Sequence, residues 1–166
     1  MARSFTFPVD LTSIMLFASA IGETNKIYYD EEYARKTPLG GVIAPPSFPI
    51  AAAHWNPDYP LRGVRQIPES PPSDRPSKGS GDSDLGAGSG GLTRVLHGEQ
   101  RFTWHKPMRP GMKLTVAARA GKTWSKEGRR GGTMDFNEMI SEYRDETGEL
   151  VCTATSVGIV TSKAVE

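Results

Sequence analysis

The chain changes its hydrophobic period between its first and its last third. Near the start, four apolar residues recur at the i, i+3, i+4, i+7 spacing of an amphipathic helix: Leu11, Ile14, Met15 and Ala18. Asp10 can cap the start of this helix, and Gly22 stands where a left-handed residue commonly ends one. The pattern predicts one amphipathic helix from about Leu11 to Ile21.

Two further helical segments are expected. Asp30 and the acidic residues that follow it favour a short helical turn that runs to Lys36. A longer segment, with Ser47 as its cap and Asn56 at its end, is rich in small residues and almost uncharged. Because Pro49 is tolerated only in a first turn, this third helix should begin just before it. We expect this helix to be buried.

The last third alternates apolar and polar positions, as half-buried strands do. The alternating sets are Phe102 and Trp104; Leu114, Val116, Ala118 and Ala120; Met134 and Phe136; and Val151, Thr153, Thr155, Val157 and Ile159. The phase set by Phe136 is broken by one residue from Met139 onward, which predicts a β-bulge near Asn137. Residues 126–132 and 145–148 carry turn chemistry, so we expect consecutive strands to pair antiparallel as a meander.

A buried helix followed by such strands predicts an α+β, hot-dog fold, in which a long curved antiparallel β-sheet wraps around a central buried α-helix. Residues 62–91 are of a different composition, dominated by Pro, Gly, Ser and Asp with almost no aliphatic side chains. Burial in that stretch cannot offset the entropy of ordering it. We predict that residues 1–166 form a single hot-dog domain with a flexible insertion at about 62–91.

Composition narrows the function classes. The 20 basic and 19 acidic side chains give a formal charge of +1, so no global field favours nucleic acid or an acidic membrane surface. Cys152 is the only cysteine, which excludes an intramolecular disulfide and suits a reducing cytosol. No apolar run approaches the roughly 20 residues of a membrane span, and the first residues lack the long apolar region of a secretory signal. We expect a cytoplasmic protein with no nucleic-acid or membrane partner.

The three histidines, His54, His97 and His105, have no metal-ligand spacing to one another or to Cys152. A structural role is the simpler explanation for each of them. We therefore expect neither a metal nor a cofactor.

Residues 22–30 read Gly-Glu-Thr-Asn-Lys-Ile-Tyr-Tyr-Asp. This segment resembles the G-D-x-N-P-[hydrophobic]-H-x-D signature of the MaoC-like, R-specific enoyl hydratase and hydroxyacyl dehydratase family, in which the Asp and the His are the acid/base pair. Glu23 and Tyr28 stand at those two positions here. Such a replacement is typical of the partner halves of the family, which keep the fold and leave the dyad to another domain or subunit.

A second segment supports the resemblance. Residues 98–111 read Gly-Glu-Gln-Arg-Phe-Thr-Trp-His-Lys-Pro-Met-Arg-Pro-Gly, which is similar to the family's G-E-Q-x-F-x-Y-H-R-P-L-x-P-G-D. Met112 replaces the final Asp of that pattern. Together with residues 20–34 and 40–48, the resemblance covers most of the chain outside the predicted insertion.

The resemblance implies the N-terminal, dehydratase-like half of a double hot dog acting on 2-enoyl or 3-hydroxyacyl thioesters of CoA or of acyl-carrier protein. Its partner would be a catalytic MaoC-like subunit, or a second copy of the chain, and its own part would be to shape the acyl tunnel. Candidate substrate contacts are Asn25 of the motif, the small Ala51 and Ala52, and Arg129 and Arg130, which could meet CoA phosphates. A solvated basic turn explains the two arginines better.

The chemistry shows why the two replacements matter. Adding water to a 2-enoyl thioester needs a base that works near neutral pH and an acid for the α-carbon. Tyr28, with a reference pKa of about 10, is a poor base. Glu23 could take a proton, but its carboxylate lies one methylene further out than that of Asp, and proton transfer tolerates little displacement. A solvated Glu23 and a packing Tyr28 explain both residues at least as well.

Two rival classes remain open. The chain could be a self-contained hot-dog acyl-CoA thioesterase or hydratase that uses Glu23 as base or nucleophile from a homodimer interface. It could also be a non-enzymatic module that binds acyl thioesters.

Overall fold

Five strands form one antiparallel sheet in the computed structural model of the protein, which describes residues 4–57, 95–128 and 132–162. The strands are β1 (Ser4–Pro8), β2 (Val95–Trp104), β3 (Lys113–Gly128), β4 (Gly132–Arg144) and β5 (Leu150–Thr161). The helices are α1 (Leu11–Ala20), α2 (Glu31–Lys36) and two 3-10 helices, Lys26–Tyr28 and Phe48–Trp55, the second of which we name the central helix. The predicted insertion at about 62–91 lies outside the described residues.

The strands lie in the order β1-β3-β4-β5-β2, and every neighbouring pair is antiparallel. β3, β4 and β5 form the predicted meander. The expectation that consecutive strands always pair was wrong for β2, which lies beyond β5 at the edge of the sheet. β1 pairs with the other edge of β3. This strand was not predicted from the sequence, because Phe5 and Phe7 alternate over too few residues to show a strand period.

The irregularity in the long β3–β4 pair lies in β3. Ala120 pairs with Met139 and Thr123 pairs with Asn137. β3 therefore carries the extra residue, and the bulge predicted near Asn137 was placed on the wrong strand. The Glu138 carboxylate lies opposite and accepts a hydrogen bond from the Lys122 backbone N–H at 3.0 Å, which satisfies a donor within the bulge. Phe136 and Met139 differ in phase because they lie on opposite faces of an uninterrupted strand.

α1 forms as predicted, to within one residue of the expected end. The Asp10 side chain accepts a hydrogen bond from the Ser13 N–H at 2.8 Å and caps the helix. Hydrogen bonds from the Ser13 hydroxyl and N–H hold the pKa of Asp10 below its ordinary value. Ile14 and Ala18 of the predicted apolar stripe are fully buried, so the stripe faces the core.

The central helix differs from the expected buried α-helix in two ways. It is a 3-10 helix of eight residues, and one face only is buried. That buried face consists of Phe48, Pro49 and Ala52, whereas the Ile50 side chain is 51% exposed. Pro57 cannot extend the helix, so it stays too short to cover the whole concave face of the sheet.

An aromatic cluster fastens the central helix to the sheet. The ring of Phe7 on β1 lies 5.5 Å from the ring of Phe48 and 5.1 Å from that of Trp55. The Tyr143 hydroxyl on β4 donates to the Pro49 carbonyl oxygen at 2.9 Å. Burial raises the pKa of Tyr143 well above its ordinary value, so this donor keeps its proton. The result is the predicted α+β hot dog, with the helix packed on the concave face of the sheet.

Replacing Tyr143 with Phe should lower the free energy of unfolding by about 1–3 kcal/mol, because the buried Pro49 carbonyl would lose its donor while the aromatic packing remains. Urea unfolding of the variant measures the change. Tyr33→Phe is the matched control, since Tyr33 is 45% exposed and should change stability by less than about 0.5 kcal/mol. Equal effects of the two substitutions would contradict the prediction.

Candidate functional site

The two positions of the degenerate motif lie in a short loop that two helices hold. Gly22 leaves α1 with a φ of 76°, and the Glu23 N–H donates to the Ala18 carbonyl oxygen at 2.9 Å. On the far side, the Asp30 side chain accepts from the Tyr33 N–H at 2.9 Å and caps α2. The backbone of the loop is therefore anchored at both ends.

Asn25 and Tyr29 hold the middle of this loop. The Asn25 side chain accepts a hydrogen bond from the Ile27 N–H at 3.0 Å and caps the 3-10 helix Lys26–Tyr28. The Tyr29 hydroxyl donates to the Glu23 carbonyl oxygen at 2.6 Å. The structure thus gives Asn25, a candidate substrate contact, a role in shaping the loop.

Tyr28 is 8% exposed and packs in the core. Burial raises the pKa of its phenol above the ordinary value, and the negative charge of Glu23 raises it further. The two positions that the motif pairs in sequence therefore interact in the fold. At neutral pH the Tyr28 phenol keeps its proton, so this position offers a hydrogen-bond donor and no base.

A groove opens between the central helix and the concave face of the sheet, with a volume of about 360 Å³. Its apolar lining includes Phe5, Ile50, Ala52, Ala53, Phe102, Val116, Ala118 and Met139, and its polar lining includes Asn56, His97, Gln100, Ser141 and Ser156. Ala52, a candidate contact, lines this groove. Ala51 packs against the core beside it. Phe102, Val116, Ala118 and Met139 of the floor belong to strand patterns recognised in the sequence, but none of them was predicted to line a groove. On β5 the floor residues Ala154 and Ser156 have the opposite phase from the apolar set recognised there.

The remaining residues that the sequence analysis weighed are the two arginines and the histidines. Arg129 and Arg130 fall outside the described residues, so the fold does not place them. His97 lines the groove, whereas His105 lines a separate cavity of about 290 Å³ beside Trp104. The sequence therefore gave no signal that would separate the histidine at the groove from the others.

The described ranges contain no group of three or more His, Cys, Asp or Glu residues arranged to hold a metal ion. Cys152 is buried, and burial raises the pKa of its thiol to about 12, so it remains protonated at neutral pH. None of the helices in the described part of the chain is long and apolar enough to span a bilayer.

Comparison with solved structures identifies the class of fold. The C-terminally truncated HadBC complex of Mycobacterium tuberculosis, a 3R-hydroxyacyl-ACP dehydratase, matches with a TM-score of 0.64 and 20% identity over 95% of both chains. The ChsH1-ChsH2 complex of the same organism matches with a TM-score of 0.68 and 19% identity over 100% of this chain and 85% of that one. At these identities the likeness shows the fold, which is that of the MaoC-like hot-dog dehydratases.

Comparison of sequences identifies the family. The family model described as FAS1-like, dehydratase domain region matches residues 2–154. A UPF0336 protein of Streptomyces griseus is 31% identical over 148 residues, which are 89% of this chain and 81% of that protein. A probable enoyl-CoA hydratase alpha subunit of Thermomonospora curvata is 30% identical over 148 residues, 88% of this chain but 43% of that protein. The chain belongs to the FAS1-like dehydratase-domain family, which confirms the resemblance drawn from its motifs.

The raised pKa of Tyr28 predicts how stability changes in alkali. Folding favours the neutral phenol, so this contribution is complete below the unfolded-state pKa of about 10 and is lost as pH rises through the higher folded-state value. The free energy of unfolding should therefore fall above about pH 10. In Tyr28→Phe the fall should be smaller, since that variant keeps the ring and removes the titrating group. Urea unfolding of both proteins across this pH range tests the point, and parallel curves would contradict it.

Proposed function

We propose that the chain is a supporting subunit of a heteromeric MaoC-like hydratase or dehydratase that acts on 2-enoyl and 3-hydroxyacyl thioesters. The observation that carries the proposal is the buried, protonated Tyr28 beside Glu23, at the two positions where the reaction needs its acid and its base. In this proposal residues 1–166 are one hot-dog domain with an insertion at about 62–91. The chain contributes the groove that receives the acyl chain.

The proton transfers that hydration requires argue against a complete active site within this chain. Hydration takes a proton from water and delivers one to the α-carbon, so it needs a base and an acid that both work near neutral pH. The Tyr28 phenol, with its raised pKa, accepts no proton there and gives one up reluctantly. Glu23 alone would have to fill both parts. A partner with an intact Asp and His would supply both the acid and the base.

The N-terminal turn of the central helix also argues against a complete active site in this chain. Thioester activation uses well-placed hydrogen-bond donors, commonly backbone N–H groups at a helix start. Pro45, Pro46 and Pro49 carry no N–H, and the backbone N–H groups of Phe48 and Ile50 already donate to the carbonyl oxygens of Pro45 and Ser47. This turn is better suited to holding an acyl chain than to polarising a thioester carbonyl.

The sheet offers a place for the partner. β2 (Val95–Trp104) is ten residues long and lies at the edge of the described sheet, bonded on one side to β5. A long strand edge carries backbone donors and acceptors that a second sheet can use. The HadBC and ChsH1-ChsH2 structures are heteromeric complexes, and the alpha-subunit relative is more than twice the length of the matched region. These comparisons favour a heteromer.

The decisive experiment assays the purified chain with and without a MaoC-like chain that carries an intact G-D-x-N-P-[hydrophobic]-H motif and is encoded beside it. We expect no enoyl-CoA hydration by this chain alone and activity in the mixture. Glu23→Gln and Tyr28→Phe should leave the activity of the assembled complex within severalfold, whereas loss of a working general base costs about 100-fold or more.

The matched control replaces the Asp and the His of the partner's motif in the same assay, where the large loss should appear. A collapse in rate for Glu23→Gln with assembly intact would overturn the proposal in favour of a self-contained enzyme. Release of CoA from saturated acyl-CoA by this chain alone would identify that enzyme as a thioesterase. Thioester binding without activity in any mixture would favour the remaining alternative, a non-enzymatic module that binds acyl thioesters.

Assembly provides an independent prediction. Because the outer edge of β2 pairs with no other strand of the described sheet, the chain should sediment as a dimer at low micromolar concentration, either with itself or preferably with the catalytic chain. Sedimentation velocity of each chain and of their mixture measures this. A chain that stays monomeric in the presence of the catalytic candidate would contradict the prediction.

A further inference from the structure

The floor of the groove changes chemistry along the strands. Residues that pair across neighbouring strands point to the same face of a sheet, so the floor can be followed row by row. The row nearest the core is Trp104, Cys152, Tyr143 and Val116; the next is Phe102, Ala154, Ser141 and Ala118; the third is Gln100, Ser156, Met139 and Ala120. Beyond the first row, Phe102 and Met139 are the bulky side chains that remain, and the other positions are small or polar.

Three polar side chains lie in the outer rows: Gln100, Ser141 and Ser156. Each is partly buried, and each lines the groove. Within the described ranges, none of the three side chains makes a hydrogen bond to another protein group. Three sets of donors and acceptors are therefore available to whatever lies on this floor.

The wall opposite the floor is apolar along the central helix, and Asn56 stands at the end of that helix. Ile50 projects from the central helix with half of its surface exposed, and Ala52 and Ala53 leave space beside it. A saturated chain in the groove would pack well on this wall. It would also take water away from Gln100, Ser141 and Ser156 without replacing the lost hydrogen bonds, which weakens binding about fivefold or more for each group left unpaired.

We infer that this groove selects acyl chains that carry a hydroxyl or carbonyl oxygen in their distal half, away from the reacting carbons, with Gln100, Ser141 and Ser156 as the specificity-determining residues. The inference rests on the proposed function, because it assumes that the groove receives the acyl chain. An oxygen on the chain takes the place of water on the floor. The hydrocarbon around it packs on Ile50 and the alanines.

The test compares two CoA thioesters of equal length, one with a saturated medium acyl chain and one with a single hydroxyl in the distal half of that chain. Calorimetry with the full chain, alone and assembled with its catalytic partner, should show about tenfold tighter binding of the hydroxylated thioester, the effect of one well-made hydrogen bond. In Ser141→Ala/Ser156→Ala the ratio should fall to within about twofold. Gln100→Leu should tighten binding of the saturated thioester.

Thr155→Val is the matched control. Thr155 lies on β5 between Ala154 and Ser156, but it pairs with Arg101 and Ile140 and so faces the other side of the sheet. The Thr155→Val variant should keep the full preference for the hydroxylated thioester. If the double variant unfolds early in a thermal melt, Ser156→Ala alone serves, with a partial loss of the ratio expected.

Equal binding of the two thioesters by the parent chain, or an unchanged ratio in the serine variants, would overturn the inference and leave the proposed function standing. Failure of every acyl-CoA to bind, together with no effect of the chain on its partner's activity, would overturn both. The two failures are therefore distinguishable.

Discussion

The packing of the central helix on the concave face of the sheet is the interaction on which the other features depend. Phe7 and Phe48 join β1 to the helix, and the hydrogen bond from Tyr143 to the Pro49 carbonyl ties the helix to the middle of the meander. Both contacts are made at the N-terminal end of the helix, where it is buried. The opposite side of the helix, with Ile50, stands away from the sheet and leaves the groove open.

The same packing connects the groove with the motif loop. α1 packs against the central helix through Phe17 and Phe48, whose rings are 5.4 Å apart. The loop after α1 then turns inward and buries Tyr28. Burial and the nearby Glu23 raise the pKa of the Tyr28 phenol and so favour its neutral form, which suits a scaffold better than a proton-transfer site. Structural use of these positions is consistent with chemistry performed by another chain.

Much of this arrangement was predictable from local patterns. α1, the cap at Asp10, the turn at residues 145–148 and the strand phase around Val116 all depend on neighbours a few residues away. Three features were not. β1 is too short to show a period, the bulge partner of Glu138 lies on another strand, and β2 crosses to β5 over a long connection. Each of these is decided by contacts between segments distant in sequence.

The sequence by itself determined the family, the hot-dog class and the presence of Glu23 and Tyr28 at the two motif positions, because a motif is a fact about residue identity and spacing. Only the tertiary structure decided what those residues do. Burial sets the protonation of Tyr28, a cap engages Asn25, and the strand register brings Gln100, Ser141 and Ser156 onto one floor. Solvent exclusion and cross-strand register arise from segments that are far apart along the chain, so no local pattern encodes them.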